Sequence, residues 1–273
     1  MSGPILVRRE YRKLAFYEFE PLTSVRRLMH AVTTREGGKS ASPFDTLNLA
    51  LHVGDEPSKV VANRHEVCDA LDVMLEDWVT ADQVHRDQVS VVGLADRGRG
   101  ARKQTTAVPH TDALATNARG VALALFSADC PLILLVDRSG SSLALVHASW
   151  RTTVAGLSQR TVRTMTERFG TKPHDLLAAI APSIGPNCYP VGADVLAEAR
   201  KAATGCERFL KPTGGRWFFD LWGANFTQLM AAGVPAANIF LPSLCSHCRI
   251  EEFFSYRLEG SQTGRFAFIA CLK

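Results

Sequence analysis

The sequence lacks the signatures of several large protein classes. It contains no Gly-rich nucleotide fingerprint after a strand, no phosphate-binding P-loop and no repeat of 20 to 50 residues. Histidine is scarce, with 8 in 273 residues, and no His-x-His pair occurs. Because a multicopper oxidase needs a large supply of paired imidazoles, these absences argue against such a cluster.

Segments that would direct the chain to a membrane or a secretory route are also missing. The longest early apolar run, Ile5–Val7, is short and is followed by arginines. The most apolar stretch, 121–136, is interrupted by Ser127, Asp129 and Pro131, which a membrane span would not tolerate. We therefore predict a cytoplasmic protein with no membrane partner and with seven reduced cysteines. A cysteine that matters would then act as a metal ligand or a nucleophile.

The composition that remains is that of an ordinary globular protein. Hydrophobic residues make up 46% and charged residues 21% of the chain, which excludes disordered and collagen-like classes. The net charge of +4 is small for this length, and the basic run at 97–103 lies in a Gly-containing stretch typical of a solvated loop. We predict no nucleic-acid partner. No linker forces a boundary, so residues 1–273 are predicted to form one domain.

Apolar patterning predicts both strands and helices. Predicted strands are Leu28–Thr33, Val121–Phe126, Leu132–Val136, Leu143–His147, Leu177–Ala181, Ile239–Leu241 and Phe266–Cys271. Predicted helices are Pro57–Leu71, Val154–Phe169, Val191–Ala203 and Asp220–Ala232. The mixture indicates the α+β class, with layered mixed and antiparallel sheets flanked by helices.

Three of the predicted strands follow one another almost without a break. The gaps after Val121–Phe126 and Leu132–Val136 are too short for a helical crossover. The strands ending with Leu143–His147 are therefore expected to form an antiparallel meander. Their nearly continuous apolar character predicts that helices or a second sheet cover both faces.

The sharpest candidate for chemistry is Cys130, in the short connection Ser127–Pro131. A strand connection is a poor place for a core thiol, and Pro131 favours an extended backbone at Cys130. His147 ends a strand that returns towards the same end of the sheet, so both side chains are expected at one rim. These two residues suit a Cys–His nucleophile pair or a metal site equally well. If His85 joins them, two imidazoles and a thiolate match a catalytic zinc site with an open position.

Three further motifs are weaker. The pair Cys245 and Cys248 has ligand spacing, but without a second pair it favours incidental burial over a zinc or redox motif. The Gly-Gly stretch after Arg35 suits an oxyanion, although a plain turn explains it as well. The aromatic segment Phe253–Arg257 could stack a planar ring beside an anion, or form a simple strand.

Taken in chain order, a set of short strings resembles one known family. The chain is similar to the YfiH-type laccase-domain family, whose members are called polyphenol oxidase, purine nucleoside phosphorylase or peptidoglycan editing factor. The resemblance covers residues 33–267, about nine tenths of the chain. The strings are TTREGG, LNLALHVGD, QVH, SADCP, LALVHASWR, IGPNCYPVG, FFSYRLEG and TGRFA.

The resemblance implies a fold like the catalytic domain of cytotoxic necrotizing factor toxins. It also implies a zinc site, with copper in some members, at His85, Cys130 and His147. The implied partners are phosphate and purine nucleosides (adenosine, inosine, guanosine and methylthioadenosine), with phosphorolysis as the reaction and adenosine deamination as a side activity. On this basis we expect the substrate to be bound by Arg35, Asn48, His52 and Arg257.

This sequence also departs from the family pattern. Ser149 and Thr152 replace glycines after His147, which puts the loop geometry in doubt if those glycines have positive φ. Pro190 replaces an acidic residue, which could shift purine preference. Three alternatives therefore stay open: a Cys–His hydrolase acting in peptidoglycan precursor editing, a copper-dependent polyphenol oxidase, and a binding protein without catalytic activity.

Overall fold

The computed structural model describes residues 5–273. The strands are β1 (Leu6–Tyr11), β2 (Leu14–Phe19), β3 (Leu28–Thr33), β4 (Trp78–Thr80), β5 (Val89–Val91), β6 (Ala113–Thr116), β7 (Ala122–Ser127), β8 (Leu132–Asp137), β9 (Leu143–His147), β10 (Leu176–Ile180), β11 (Pro190–Val191), β12 (Leu210–Thr213), β13 (Arg216–Phe219), β14 (Ile239–Phe240) and β15 (Phe266–Leu272). The α-helices are α1 (Pro57–Leu71), α2 (Trp150–Val154), α3 (Leu157–Phe169), α4 (Ala193–Lys201), α5 (Leu221–Ala231) and α6 (Tyr256–Glu259).

The strands form two large sheets and one small one. The first large sheet has the order β1-β2-β3-β15-β7-β4, and the second has the order β14-β10-β8-β9-β6-β5. Most neighbours are antiparallel, but β4 is parallel to β7, β5 to β6, and β10 to β14. The small sheet has the order β11-β13-β12. The predicted α+β class with mixed and antiparallel sheets is confirmed.

The two large sheets pack face to face, and helices cover their outer faces. On β7, Leu123 and Leu125 point into the layer between the sheets, where they meet Leu134 and Leu145 of the second sheet. The alternate residues of β7 contact α1 on the outside of the first sheet. Helices α3 and α5 cover the outside of the second sheet. Each central strand is thus buried on both faces, which explains its continuous apolar sequence and confirms that expectation.

The predicted three-strand meander is wrong at its first step. Strand β7 pairs with β4 and β15 in the first sheet, whereas β8 pairs with β9 in the second. The connection Ala128–Pro131 carries the chain between the sheets, which lie about 10 Å apart in such sandwiches. Apolar residues on both faces of a strand do not reveal which sheet it joins. The second step is right, since β8 and β9 are antiparallel and Leu132 lies opposite His147.

The predicted helix Pro57–Leu71 is present with the same bounds, whereas the other three predicted helices have different ends. The predicted Val154–Phe169 helix is divided into α2 and α3, because Gly156 adopts a left-handed conformation between them. Asp220 caps α5 as expected, accepting a hydrogen bond from the Gly223 backbone N–H at 2.9 Å. Among the helices of residues 5–273, none is both long enough and apolar enough to cross a bilayer.

Candidate metal centre

The side chains of His85, Cys130 and His147 meet at one place although they are far apart in sequence. One ligand atom of each residue lies within 4.8 Å of the others, and the two imidazole centroids are 5.2 Å apart. His147 is buried at the end of β9, Cys130 is half-buried in the connection between the sheets, and His85 is exposed. The convergence that spacing alone left open for His85 is present in the structure. One thiolate and two imidazoles form a donor set that suits zinc or copper.

Asp112 contacts the His147 imidazole and the backbone on either side of His85. Its Oδ1 lies 2.8 Å from His147 Nδ1, so Nε2 is the nitrogen left to face Cys130. Its Oδ2 accepts hydrogen bonds from the backbone N–H groups of Val84 and Arg86, on either side of His85, at 3.2 and 2.7 Å. The carboxylate is fully buried. Such an outer carboxylate fixes the histidine tautomer and raises the basicity of the ligand.

The segment that carries His85 has an unusual backbone. His85 has a φ of 61°, which a residue with a side chain adopts at a cost. Gln83 anchors this segment to β7 by two hydrogen bonds with Phe126, donating to its carbonyl at 2.8 Å and accepting from its N–H at 2.9 Å. Together with the contacts from Asp112, these bonds hold the strained residue at the site.

The connection that carries Cys130 turns sharply at Asp129, which has a φ of 93°. The Asp129 carboxylate is buried and accepts three hydrogen bonds, from Ser246 Oγ at 2.7 Å, Ser255 Oγ at 3.0 Å and the Arg257 N–H at 2.7 Å. Ser127 Oγ donates to the Cys130 carbonyl at 2.6 Å. The thiol is thus positioned by a buried acid that is bonded to two distant loops.

The electrostatics of the site favour an ionised thiol. Burial raises the pKa of Cys130, but hydrogen bonds and positive charge from His147 and His85 outweigh burial and lower it to about 6. Burial lowers the pKa of His147, yet Asp112 and Cys130 outweigh this effect and raise it to about 9. Without a metal the pair therefore favours a thiolate beside an imidazolium. A metal ion would take the place of that proton between the same atoms.

The departures after His147 are accommodated without backbone strain. Ser149 is extended, with a φ of −60°, and serves as the N-cap of α2 by accepting from the Thr152 N–H at 3.3 Å. Thr152 lies within α2, and its hydroxyl donates to the His147 carbonyl at 2.8 Å. Neither position needs a glycine in this chain, and Thr152 adds a contact to the ligand residue. Pro190 starts β11, opposite Phe218.

Arginines and a tyrosine surround the thiol. The Arg257 guanidinium lies over the ring of Tyr189, 5.0 Å from its centroid. Arg257 is exposed to solvent. Burial and then the charge of Cys130 raise the pKa of Tyr189, so its phenol stays neutral. Arg265 is largely enclosed, and burial lowers its pKa against the opposing charges of Cys130 and Asp129. Arg257 thus lies over Tyr189, and binding of substrate by Arg257 stays a prediction; Arg265 and Tyr189 were not among the predicted residues.

Arg35 is already engaged by the protein itself. Its Nη1 donates to Glu259 at 2.9 Å and to the Ile250 carbonyl at 3.0 Å, and its guanidinium lies 4.5 Å from the centroid of Phe254. The Arg35 side chain is only 12% exposed. These contacts tie the Gly-Gly turn to the loop before α6. Binding of substrate by Arg35 stays a prediction.

Asn48 and His52 differ in their access to the site. Asn48 is fully buried and its amide is used by the protein, with the Ala50 and Arg265 N–H groups donating to its oxygen at 3.0 and 2.9 Å. Its contact with Arg265 places it behind the site. Burial of His52 lowers its pKa, and the positive charges of Arg265 and Arg64 lower it further. The charge of His147 has the same effect on the pKa of His52. A substrate-binding role for either residue stays a prediction.

Sequence reasoning missed the residues that support the ligands. Asp112 precedes β6, and an acid directly before a fully buried apolar strand was an available signal. Asp129 was noticed only as the neighbour of Cys130. Arg265 lies in the string TGRFA, which was used for the resemblance without giving its arginine a role.

The sequence is similar to those of a known protein family. The family model described as multi-copper polyphenol oxidoreductase laccase matches residues 29–273. The chain is 40% identical over 242 residues to purine nucleoside phosphorylase YlmD of Geobacillus stearothermophilus, covering 87% of this chain and 88% of that protein. It is 35% identical over 235 residues to adenosine deaminase RL5 from an unknown prokaryotic organism, covering 85% and 89%.

A solved structure shows the same architecture. The crystal structure of YlmD from Geobacillus stearothermophilus superimposes with a TM-score of 0.92 at 36% identity, covering 99% of this chain and 100% of that one. The mixed α+β fold is therefore shared over the whole length, whereas the likeness to necrotizing factor toxins stays an expectation. With the sequence match over residues 29–273, this chain belongs to the YfiH-type, laccase-like family.

Proposed function

We propose that this protein is a zinc-dependent purine nucleoside phosphorylase, acting on adenosine, inosine, guanosine and methylthioadenosine. The observation that carries the proposal is the convergence of His85, Cys130 and His147 beside exposed Arg257. The relatives named purine nucleoside phosphorylase support the reaction class.

The donor set fits zinc by its own chemistry. Two imidazoles and one thiolate are the ligands of known catalytic zinc sites, which keep one position open. Asp112 supplies the outer contact that such a histidine ligand needs. When bound, zinc supplies a Lewis acid at which an anionic oxygen can be held. Copper could occupy the same donors, but a single site lacks the several coppers of a laccase.

The surrounding residues fit a nucleoside and a phosphate. Arg257 offers a guanidinium that no carboxylate within 4.0 Å pairs with in the described structure, so it is available for a phosphate oxygen. The neutral ring of Tyr189, beneath Arg257, provides an aromatic surface on which a purine can lie. Arg265 adds positive charge from the enclosed side, near Cys130. Together they favour attack by a phosphate anion at the ribose carbon.

The test is to incubate adenosine with phosphate and zinc-loaded protein, and to measure ribose 1-phosphate and adenine. We expect both products in equal amounts, and none without phosphate. Cys130→Ala should lower kcat/KM by at least about 100-fold, since one well-placed catalytic group is worth two to three decades. Cys68→Ala removes a buried thiol outside the site and is the matched control. Equal turnover of Cys130→Ala and Cys68→Ala would refute the proposal.

The same assay separates the side activity from the main one. Adenosine deamination would produce inosine and ammonia, and it requires no phosphate. We expect a slower deamination that is lost together with phosphorolysis in Cys130→Ala, because both reactions would use the same donor set. Deamination that exceeds phosphorolysis at saturating phosphate would make the deaminase the principal function.

A second candidate is supported by the order of contacts at the site. Asp112 contacts His147, and His147 contacts Cys130, which is the arrangement of an acid, a base and a thiol nucleophile. In a Cys–His hydrolase acting on peptidoglycan precursors, the Cys130 thiolate would attack a carbonyl, and the His147 imidazolium would donate its proton to the leaving group. A covalent Cys130 adduct in metal-free, active protein would favour this hydrolase. Zinc-dependent activity that chelation abolishes would exclude it.

A further inference from the structure

A cluster of three cysteine sulfurs lies outside the candidate catalytic site. Cys188, Cys245 and Cys248 place one sulfur each within 4.8 Å of the others, and the sulfurs of Cys188 and Cys248 are 3.4 Å apart. The pair Cys245 and Cys248 alone did not predict a metal site. The tertiary structure adds a third cysteine from a loop about 60 residues earlier.

The backbone presents these sulfurs as two facing turns. The Cys188 N–H donates to the Gly185 carbonyl at 2.9 Å, and the Cys248 N–H donates to the Cys245 carbonyl at 3.2 Å. The turns lie side by side because Ser183 and Cys245 form a β-bridge, with the Ser246 N–H donating to the Ser183 carbonyl at 3.1 Å. Two neighbouring turns that each direct sulfur inwards are the usual form of a thiolate metal site.

Gly185 makes the close approach of the two turns possible. Its N–H donates to Cys245 Sγ at 3.1 Å, a bond that stabilises negative charge on sulfur. A Cβ added at Gly185 would lie 3.3 Å from that sulfur, so a side chain would crowd it. The Cys245 sulfur is thus held in place by a backbone hydrogen bond before any ion is present.

The spacing of the sulfurs suits an ion better than a disulfide. Tetrahedral zinc with Zn–S bonds of about 2.3 Å holds two sulfurs about 3.8 Å apart. The Cys188–Cys248 separation of 3.4 Å is near that value and well beyond a bonded S–S distance of about 2.05 Å. A disulfide would also use only two of the three thiols. We propose that Cys188, Cys245 and Cys248 form a second zinc site with three thiolate ligands, whose fourth position is open to solvent beside exposed Cys248.

This second site would position the first one. Ser246, between two of its ligands, donates to Asp129 at 2.7 Å, and the Ile184 N–H donates to the Asp129 carbonyl at 2.8 Å. Asp129 precedes Cys130, so both loops of the cysteine cluster contact the turn that carries the catalytic thiol. Zinc binding releases three thiol protons and joins the two loops. The cysteine cluster is therefore a positioning site and not part of the reacting centre.

The experiment counts zinc in protein purified and reloaded under reducing, oxygen-free conditions. We expect two zinc ions per wild-type chain and one in Cys130→Ala. Cys248→Ser alters an exposed residue and should fold; on the Cys130→Ala background it should bring zinc close to zero. Cys68→Ala on the same background is the control and should keep one ion. Zinc absent from Cys130→Ala, or unchanged by the further Cys248→Ser change, would overturn the proposal.

Cobalt substitution identifies the ligands directly. The sulfur-to-cobalt charge-transfer absorption grows with the number of thiolates, so Cys130→Ala should keep about three quarters of the wild-type intensity, in the ratio of three thiolates to four. An intact mass two daltons below that of the reduced chain, removed by reductant, would show a disulfide and refute zinc at these thiols. Because the readouts are metal content, absorption and mass, the outcome does not depend on phosphorylase activity.

Discussion

Asp112 contacts His147 with one carboxylate oxygen and the peptide groups beside His85 with the other. Two of the three candidate ligand residues therefore depend on a single buried side chain outside the candidate ligand set. Its first contact fixes which nitrogen of His147 faces the thiol, and its second holds the backbone of His85 in a left-handed conformation. Loss of this carboxylate should disturb both imidazoles at once.

Asp112→Asn is expected to weaken zinc binding at the catalytic site by about 10- to 100-fold. The amide side chain of this variant would have one acceptor oxygen for the three N–H groups that now donate to Asp112. Its NH₂ group would face at least one of these donors without forming a hydrogen bond. The measurement is competition with a chromophoric chelator, using protein that lacks the cysteine cluster's Cys248. Asp137→Asn, at a buried carboxylate that accepts from Ser139 at the far end of β8, is the control. Equal zinc affinity in both variants would contradict the role of Asp112.

Cys130 should be a reactive thiolate in metal-free protein. Its pKa is lowered to about 6 because His147 and His85 outweigh the effect of burial. A lowered pKa means that the thiolate persists at every pH above about 6, so the alkylation rate should rise through that pH and level off by pH 8. Peptide mapping after iodoacetamide treatment gives the rate for this cysteine alone. His147→Gln should move the midpoint upwards, and zinc should suppress the reaction; a midpoint near 9 in the wild type would refute the assignment.

Asp129 should matter for stability in two separable ways. Asp129→Ala removes the acceptor of three hydrogen bonds and is expected to lower the free energy of unfolding by about 2–4 kcal/mol. Asp129→Gly removes the same acceptor but adopts a φ of 93° readily, so it should retain about 1 kcal/mol more. Urea unfolding of both variants measures the difference. Stability of Asp129→Ala at or above that of Asp129→Gly would contradict the claim of backbone strain.

His30 should make the fold sensitive to acid. Burial lowers the pKa of His30 to about 4, while the unfolded value is 6.5, and protonation of Nε2 would also break the hydrogen bond that it accepts from the Phe19 N–H. Between pH 4 and pH 6.5 the unfolded chain binds more protons than the folded one. The contribution of neutral His30 to the free energy of unfolding is therefore complete above pH 6.5 and is lost as the pH falls to 4. The shift corresponds to about 3 kcal/mol.

The measurement for His30 compares urea unfolding at pH 7 and pH 4.5 in wild type and His30→Gln. Glutamine keeps an acceptor for the Phe19 N–H but does not titrate, so the variant should lose less stability between the two pH values. His52, whose pKa is also lowered, is present in both proteins and cancels in the comparison. Equal losses in the two proteins would show that His30 is not responsible.

The errors of the sequence analysis have a common physical origin. The strands of the central layers are apolar on both faces, so their pattern shows that they are buried but not which sheet they join. That is why β7 was assigned to the meander with β8 and β9. Strands β1 and β2 were missed because β1 is mostly exposed and carries charged residues. The break at Gly156 was missed because the apolar periodicity continues across it.

Local sequence patterns were enough to predict the class of the fold, most of the helices, the Asp220 cap and the three candidate ligands. These follow from local patterns: apolar periodicity, capping residues, and a cysteine placed where no core thiol belongs. The packing of the two sheets brings His85 to Cys130, sets Asp112 against His147 and the backbone beside His85, and joins Cys188 to Cys245 and Cys248. Such contacts join residues that are tens of positions apart, and they depend on how two sheets stack. A local sequence pattern therefore cannot predict these contacts.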